Sequence, residues 1–123
     1  MPKSILIVDD NPSVRRVIRR ILESHHDFDI CGEAVNGQDA IAKARQLRPD
    51  LIVLDFSMPV MNGVEAADML SKTMPEIPLI MLTAHKNRFI ELIARAAGVR
   101  TVLLKDERME GSLRDAVHEL TPN

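Results

Sequence analysis

The sequence predicts an α/β fold in which helices cover both faces of a buried parallel sheet. Apolar runs of four to six residues alternate with longer segments in which apolar residues recur every three or four positions. Five such strand–helix pairs follow one another, with no repeat or low-complexity segment between them. Continuous apolar strands of this kind are typical of a parallel sheet between helix layers. We therefore expect one domain over residues 1–123.

The first pair consists of β1, predicted over 4–8, and α1, predicted over 12–23. Asn11 is a favourable N-cap, and Pro12 suits the first helical position. The apolar residues of α1 fall on one stripe of the helix. Its opposite face is expected to be solvated, and it carries Arg15, Arg16, Arg19 and Arg20.

Turn and breaker residues separate the other elements. Pro49 ends α2 because proline disfavours helix at the residue before it. Asn62 and Gly63 form a turn signal in the loop after β3. Gly98 is expected to end α4. The predicted elements are β2 over 28–33, α2 over 37–47, β3 over 51–55, α3 over 64–73, β4 over 79–83, α4 over 88–97, β5 over 101–104 and α5 over 109–120.

Within α4, the apolar residues are predicted to share one side of the helix. They are Phe89, Ile90, Ile93, Ala94 and Ala97.

Polar side chains stand where four of these strands end. Asp9 and Asp10 follow β1, Asp55 ends β3, Thr83 ends β4 and Lys105 follows β5. In parallel sheets the carboxyl ends of the strands lie on one edge, and ligands bind there. We therefore expect these side chains to form one pocket.

The chemistry of this pocket favours a divalent cation and a phosphoryl group. Three carboxylates would repel one another, whereas Mg²⁺ prefers oxygen ligands and, together with Lys105, would balance their charge. Asp55 stands alone at its strand end and is the best candidate nucleophile, since carboxylates can form aspartyl phosphates. Asp9 and Asp10 would hold the metal, one directly and one through water. Thr83 and Lys105 would contact phosphoryl oxygens.

Four motifs make the chain similar, along nearly its whole length, to the response-regulator receiver domain. The segments GEA over 32–34 and NG over 36–37, with the loop over 58–63, look most like the branch that often carries a helix-turn-helix output domain. The motifs are ILIVDDN over 5–11, LDFSMPVMNG over 54–63, LTA over 82–84 and LK over 104–105.

This resemblance implies a flavodoxin-like, doubly wound sheet of five parallel strands in the order 2-1-3-4-5, with five helices on both faces. It implies that Asp55 accepts a phosphoryl group from a sensor histidine kinase or phosphotransfer protein. Asp10, Asp55 and the Ser57 backbone carbonyl would bind Mg²⁺, with Asp9 acting through a water. Thr83 and Lys105 would contact the phosphoryl group, and the surface of α4, β5 and α5 would change in response.

The same resemblance implies a cytoplasmic signalling switch that is not a turnover enzyme on a separate substrate. A DNA-binding output domain could follow the receiver. Direct nucleic-acid or membrane binding is not expected, because the net charge is −2, there is no Trp or Tyr, and no apolar run is long enough to span a bilayer. The single cysteine, Cys31, fits a reducing compartment.

Two departures from the family pattern support an alternative. The aromatic residue usual three positions before the lysine is Val102, and the usual proline after it is Asp106. Both would suit a pseudo-receiver, an interaction module whose output is independent of phosphorylation.

A second alternative is an aspartate-based phosphohydrolase. Such enzymes commonly have an aspartate as general acid two residues after the nucleophile, and here that position is Ser57, which weakens this alternative.

One histidine pair is a weaker signal. His25 and His26 are adjacent, so their side chains should point apart at a helix end. We therefore do not expect these two residues to form a metal site by themselves.

Overall fold

The computed structural model describes residues 1–122 and consists of one five-stranded parallel sheet with helices on both faces. The strand order is β2-β1-β3-β4-β5, as the resemblance implied. The elements are β1 Lys3–Val8, α1 Pro12–Glu23, β2 Phe28–Ala34, α2 Gly37–Leu47, β3 Leu51–Asp55, α3 Gly63–Thr73, β4 Leu79–Thr83, α4 Arg88–Ala96, β5 Thr101–Leu104 and α5 Met109–Leu120.

The predicted bounds differ from these by one residue at four ends. β1 begins one residue earlier, at Lys3, which pairs with Phe28, and β2 extends to Ala34, which pairs with Val8. α3 begins at Gly63 because Asn62 is its N-cap and forms a reciprocal capping box with Glu65.

The fourth difference is the end of α4, at Ala96 instead of residue 97. Gly98 has a φ of 100° and donates its N–H to the Arg95 carbonyl, while the Val99 N–H reaches Ala94. This is the Schellman arrangement, and it confirms Gly98 as the stop signal.

The sheet divides two apolar cores, because alternate residues of each strand point to opposite faces. In β1, Ile5 and Ile7 pack with α1 and α5, whereas Leu6 and Val8 pack on the side of α2 and α3. The central strand β3 is buried along its whole length. Both faces are therefore covered, and the sheet edge at the carboxyl ends of the strands is left for a binding site.

The apolar side predicted for α4 is only partly buried. Ala94 is the only residue buried within this helix, while Phe89 is 70% exposed and Leu92 is also exposed. Ile90 is partly buried against the core. α4 therefore covers the sheet with a narrow part of its surface and keeps apolar side chains in solvent.

A close backbone approach fixes the end of β3. A Cβ atom added to Gly63 would lie 2.1 Å from the Asp55 carbonyl oxygen. The Gly63 N–H also donates to the Phe56 carbonyl at 3.0 Å. The first turn of α3 thus rests directly on the backbone of Asp55, and no larger residue fits there without moving it.

We predict that Gly63→Ala lowers the free energy of unfolding by about 1–3 kcal/mol, the usual cost of overpacking. Gly111→Ala is the matched control, since a Cβ there meets nothing within 4 Å. It should raise stability by about 0.5–1 kcal/mol because alanine is the better helix former. Urea unfolding measures both. Equal stability of Gly63→Ala and the unchanged chain would contradict the tight contact.

Candidate functional site

An acidic cluster occupies the carboxyl edge of the sheet. Carboxylate oxygens of Asp9, Asp10 and Asp55 all lie within 4.8 Å of one another. They meet because β1 and β3 are neighbours in register, with Val8 opposite Leu54. Asp9 is 1% exposed and Asp55 is 6% exposed, whereas Asp10 is exposed to solvent. The pocket thus has two shielded carboxylates and a third at its mouth.

Lys105 reaches into this cluster from the end of β5. Its Nζ lies 2.7 Å from Asp55 Oδ1 and 3.0 Å from Asp9 Oδ2. The Lys105 backbone N–H donates to the Thr83 carbonyl at 2.8 Å, which continues the pairing of β4 with β5 beyond the last strand residue. One ammonium group therefore bridges carboxylates from two different strands.

Burial and neighbouring charges together shift the pKa values of Asp55 and Lys105. Burial raises the pKa of the Asp55 carboxyl; the hydrogen bond from Lys105 opposes this, and the negative charge of Asp9 adds to it. Burial lowers the pKa of Lys105, but the carboxylates of Asp55 and Asp9 outweigh it, and the net pKa is raised. The lysine is thus charged at neutral pH, while the carboxylates still lack sufficient positive charge.

The orientation of Asp9 is fixed by its neighbours. The Asn11 N–H donates to Asp9 Oδ1 at 2.9 Å. Arg15 Nη1 donates to the Asp9 backbone carbonyl at 2.7 Å, and Arg15 Nε pairs with Glu33 at 2.8 Å. Asp9 therefore presents its other side-chain oxygen, Oδ2, to Lys105.

Arg15 is a site residue that the sequence did not reveal. It was predicted on the solvated face of α1, yet its side chain is only 17% exposed, and Arg19 also pairs with Glu33. Burial alone would raise the pKa of Glu33, but hydrogen bonds from Arg19 and Arg15 lower it. Because Glu33 lies in another element, no spacing along the chain could have indicated this contact. Arg16 and Arg20 are exposed, as predicted.

The loop after Asp55 is held in a tight turn. The Met61 N–H donates to the Pro59 carbonyl at 2.7 Å, and Val60 between them has a φ of 67°. This is the rare and strained form of the three-residue turn, and such strain is often found near functional sites. The Gly37 N–H holds the Met61 carbonyl at 2.9 Å.

Within residues 1–122, the side chains of two predicted site residues form no hydrogen bond with the acidic cluster. Ser57 is exposed in the loop two residues after Asp55. Thr83 is buried, and its hydroxyl donates to the His85 carbonyl at 3.0 Å and accepts from the His85 N–H at 3.2 Å. Roles for the Ser57 carbonyl in metal binding and for Thr83 in phosphoryl binding remain predictions.

The two departures from the family pattern have clear positions. Val102 is buried in the core beside β4. Asp106 accepts a hydrogen bond from the Arg108 N–H at 2.9 Å, so its carboxylate stabilises the turn that enters α5. All peptide bonds described over residues 1–122 are trans. Lys105 nevertheless reaches the acidic cluster, so neither substitution displaces it.

The donor set of the pocket fits Mg²⁺. Hard carboxylate oxygens are the ligands this ion prefers, and it usually binds through one or two of them while keeping several waters. Asp10 at the mouth and Asp55 behind it offer such oxygens, and the single ammonium leaves negative charge for a cation to balance. Asp9, Asp10 and Asp55 are therefore the residues that could hold the ion.

A doubly wound sheet of this strand order, with an acidic cluster and a lysine at its carboxyl edge, defines the class of CheY-like signalling domains. The family model for the response regulator receiver domain matches residues 5–118. The chain belongs to this family, whose members act in two-component signalling.

Curated relatives are longer regulators. The response regulator protein VraR of Staphylococcus saprophyticus is 41% identical over 105 residues, which are 85% of this chain and 50% of that protein. The transcriptional regulatory protein LnrK of Bacillus subtilis is 36% identical over 102 residues, or 83% of this chain and 46% of that protein. The chain thus spans about half the length of the curated relatives it matches.

Solved structures agree with the fold. The response regulator domain of Thermotoga maritima CheB superposes with a TM-score of 0.91 at 26% identity, covering 98% of this chain and 96% of that one. A LuxR-family DNA-binding response regulator from Staphylococcus aureus superposes with a TM-score of 0.88 at 27% identity, covering 96% of this chain and 98% of that one.

Within residues 1–122, no helix has the length and apolarity needed to cross a membrane.

We predict that Asp55→Asn stabilises the protein at neutral pH by about 0.5–2 kcal/mol, a gain common when a strained functional site is relaxed. The raised pKa of Asp55 means that its ionised form is less stable in the folded chain than in the unfolded one. This destabilisation by ionised Asp55 is complete above the pKa that Asp55 has in the folded chain, and it is lost as the pH falls through that pKa. The stability that Asp55→Asn gains over the unchanged chain should therefore shrink towards pH 4.

Urea unfolding between about pH 4 and pH 7.5 measures this difference. Asp68→Asn is the matched control, because Asp68 forms only an exposed pair with Lys72, and such pairs contribute little. Loss of stability in Asp55→Asn at neutral pH, or a gain that grows on acidification, would contradict the charge imbalance.

Proposed function

We propose that this chain is a Mg²⁺-dependent phosphoacceptor switch in which Asp55 receives a phosphoryl group from a phosphohistidine of a sensor kinase or phosphotransfer protein. The observation that carries the proposal is the contact of Lys105 Nζ with both Asp55 and Asp9 inside the acidic cluster. A lysine in this position can bind a phosphoryl oxygen as soon as it exchanges one carboxylate for it.

The transfer requires one bond to form and one to break. An oxygen of Asp55 attacks the phosphorus atom, and the N–P bond of the donor breaks, returning its electron pair to the imidazole nitrogen. Lys105 contacts Oδ1 of Asp55, so the second carboxylate oxygen, Oδ2, is not engaged by the lysine. Because charge spreads over the phosphoryl oxygens during transfer, positioning and electrostatic stabilisation supply most of the catalysis.

The metal would be held by Asp10 and Asp55 together with the Ser57 carbonyl, and by Asp9 through water. When bound, Mg²⁺ would neutralise negative charge on the phosphoryl oxygens and on the neighbouring carboxylates. Asn11 and Arg15 keep Asp9 oriented for this role through its side-chain and backbone oxygens. The protein therefore contributes a preformed set of oxygens and a fixed ammonium.

The response would pass from the pocket through Thr83. The Thr83 hydroxyl now donates to the His85 carbonyl. A phosphoryl group on Asp55 would offer this hydroxyl a charged and therefore stronger acceptor. Exchange of these partners would release residues 84–87, which lead into α4. Because α4 buries little of its surface, a change at its N-terminus can alter the surface that it forms with β5.

Residues 1–123 would act as a receiver domain whose output lies in an attached domain or a partner protein. Relatives include regulators described as DNA-binding, which supports a transcriptional output. Phosphorylation and dephosphorylation at Asp55 would be the reactions that the chain catalyses on itself, without turnover of a separate substrate, and the cytoplasm is the compartment that such a role implies.

One observation favours the alternative pseudo-receiver. Val102 is small and buried, so the swinging aromatic residue that many family members use is absent. The intact cluster and the position of Lys105 favour the phosphoacceptor instead. Switching through Thr83 needs no aromatic partner, so Val102 is compatible with the main proposal.

Intact-protein mass spectrometry after incubation with Mg²⁺ and acetyl phosphate tests the proposal. The unchanged chain should gain one phosphoryl group, because Asp55 is the one carboxylate proposed as acceptor. Asp55→Asn should gain none, and Lys105→Ala should react at least about tenfold more slowly, since it loses one stabilising charge.

Asp68→Asn serves as the control and should react like the unchanged chain, because this carboxylate lies on the exposed surface of α3. Modification of Asp55→Asn to the same extent as the unchanged chain would refute the assignment of the acceptor. Continuous release of phosphate from a small ester, with no modified protein, would favour the phosphohydrolase instead.

A further inference from the structure

A second group of metal-binding side chains lies away from the acidic cluster. His25, Asp27 and His118 place a ring nitrogen, a carboxylate oxygen and another ring nitrogen within 4.8 Å of one another. The first two residues lie in the segment between α1 and β2, and His118 lies in the last turn of α5. Only the fold brings them together, because more than ninety positions separate His25 from His118.

The His25 ring carries an unsatisfied polar atom. Its Nδ1 is shielded from solvent and has no hydrogen-bond partner within residues 1–122. The nearest carboxylate oxygen, Asp27 Oδ2, lies 3.5 Å away, which is longer than an ordinary hydrogen bond. A buried polar atom without a partner reduces stability, so a cation between His25 and Asp27 would correct a real deficit.

The ligand types indicate which cations fit. Imidazole nitrogens suit Zn²⁺, Cu²⁺ and Ni²⁺, whereas Mg²⁺ takes oxygen ligands. In a tetrahedral zinc site, with Zn–N and Zn–O near 2.0–2.2 Å, neighbouring ligand atoms are about 3.3–3.5 Å apart. The His25–Asp27 separation already has this value, and the His118 ring nitrogen lies within 4.8 Å of the other two ligand atoms.

Aromatic packing holds the two imidazoles near each other. The rings of His25 and His118 lie 4.6 Å apart at 78°, and the Phe28 ring packs on both, at 5.4 and 4.7 Å. Asp27, Phe28 and His118 also line a cavity, and the side chains of Asp27 and His118 are exposed to solvent. The arrangement therefore combines partial preorganisation with two solvent-accessible ligands.

We propose that His25, Asp27 and His118 form a binding site for Zn²⁺ or a similar transition-metal ion, with a water in the open position. The site lies beside the first residues of β1, because Lys3 donates its N–H to the Asp27 carbonyl. It is thus separated from the acidic cluster by the length of a six-residue strand, about 20 Å. A bound ion would join the C-terminal turn of α5 to the start of β2.

Zinc titration of the tag-free chain, followed by the ring C–H signals of its histidines in NMR, tests this site. Excess Mg²⁺ is present throughout to occupy the acidic cluster. The signals of His25 and His118 should shift together, whereas His85, which lies beyond the opposite end of the sheet, should not. His118→Gln should weaken zinc binding at least about tenfold, because loss of even a supporting residue has that effect.

His26→Gln is the matched control. His26 is adjacent to His25, but its side chain is 96% exposed and reaches Asp27 only at 3.9 Å, so this variant should bind zinc like the unchanged chain. Circular dichroism of both variants checks that they are folded. Unchanged zinc affinity in a folded His118→Gln protein, or static His25 and His118 signals at a several-fold excess of zinc, would overturn the proposal.

Discussion

The ion pair that Lys105 makes with Asp55 and Asp9 is the interaction on which the functional edge of this protein depends. It joins the ends of three strands, with one ammonium 2.7 and 3.0 Å from two buried carboxylates. Buried charges are costly unless they are paired, so the lysine makes the acidic cluster tolerable in the folded chain. It does not neutralise the cluster: burial, with a smaller contribution from the negative charges of Asp9 and Asp10, still raises the pKa of Asp55 despite the lysine. That imbalance is what a cation and a phosphoryl group would exploit.

The backbone around the pair is built to keep it in place. Gly63 lets α3 rest against the Asp55 carbonyl, and Arg15 ties the Asp9 carbonyl to Glu33 on β2. Other parts of the same edge have fewer contacts with the pocket and the core. The Thr83 hydroxyl is engaged only with the loop at His85, and α4 covers the core with a small part of its surface. A rigid pocket beside a weakly packed helix is an arrangement suited to a switch.

Local patterns in the sequence were sufficient to predict the elements and the meeting of the three carboxylates with Lys105. Apolar strand runs, the Asn11 cap and the Gly98 stop are local signals, and polar residues at parallel strand ends must share one edge. Contacts between distant elements were not predictable in the same way. Arg15 was assigned to solvent because its partner Glu33 lies on another element. Helical periodicity placed Phe89 on the apolar side of α4 but cannot tell how much of that side the sheet covers. His25 and His118 meet for tertiary reasons as well.

A crystal structure of the chain with Mg²⁺ and beryllofluoride, a mimic of the phosphoryl group, tests the central claim most directly. We expect beryllofluoride on Asp55, with Lys105 Nζ moved from Asp9 to a fluorine atom and the Thr83 hydroxyl turned away from the His85 carbonyl. The account would be contradicted if Lys105 Nζ stayed 2.7 Å from Asp55 Oδ1 and 3.0 Å from Asp9 Oδ2 while beryllofluoride is bound. In that case the lysine would be a fixed structural ion pair, and the exchange of partners proposed for the switch would not occur.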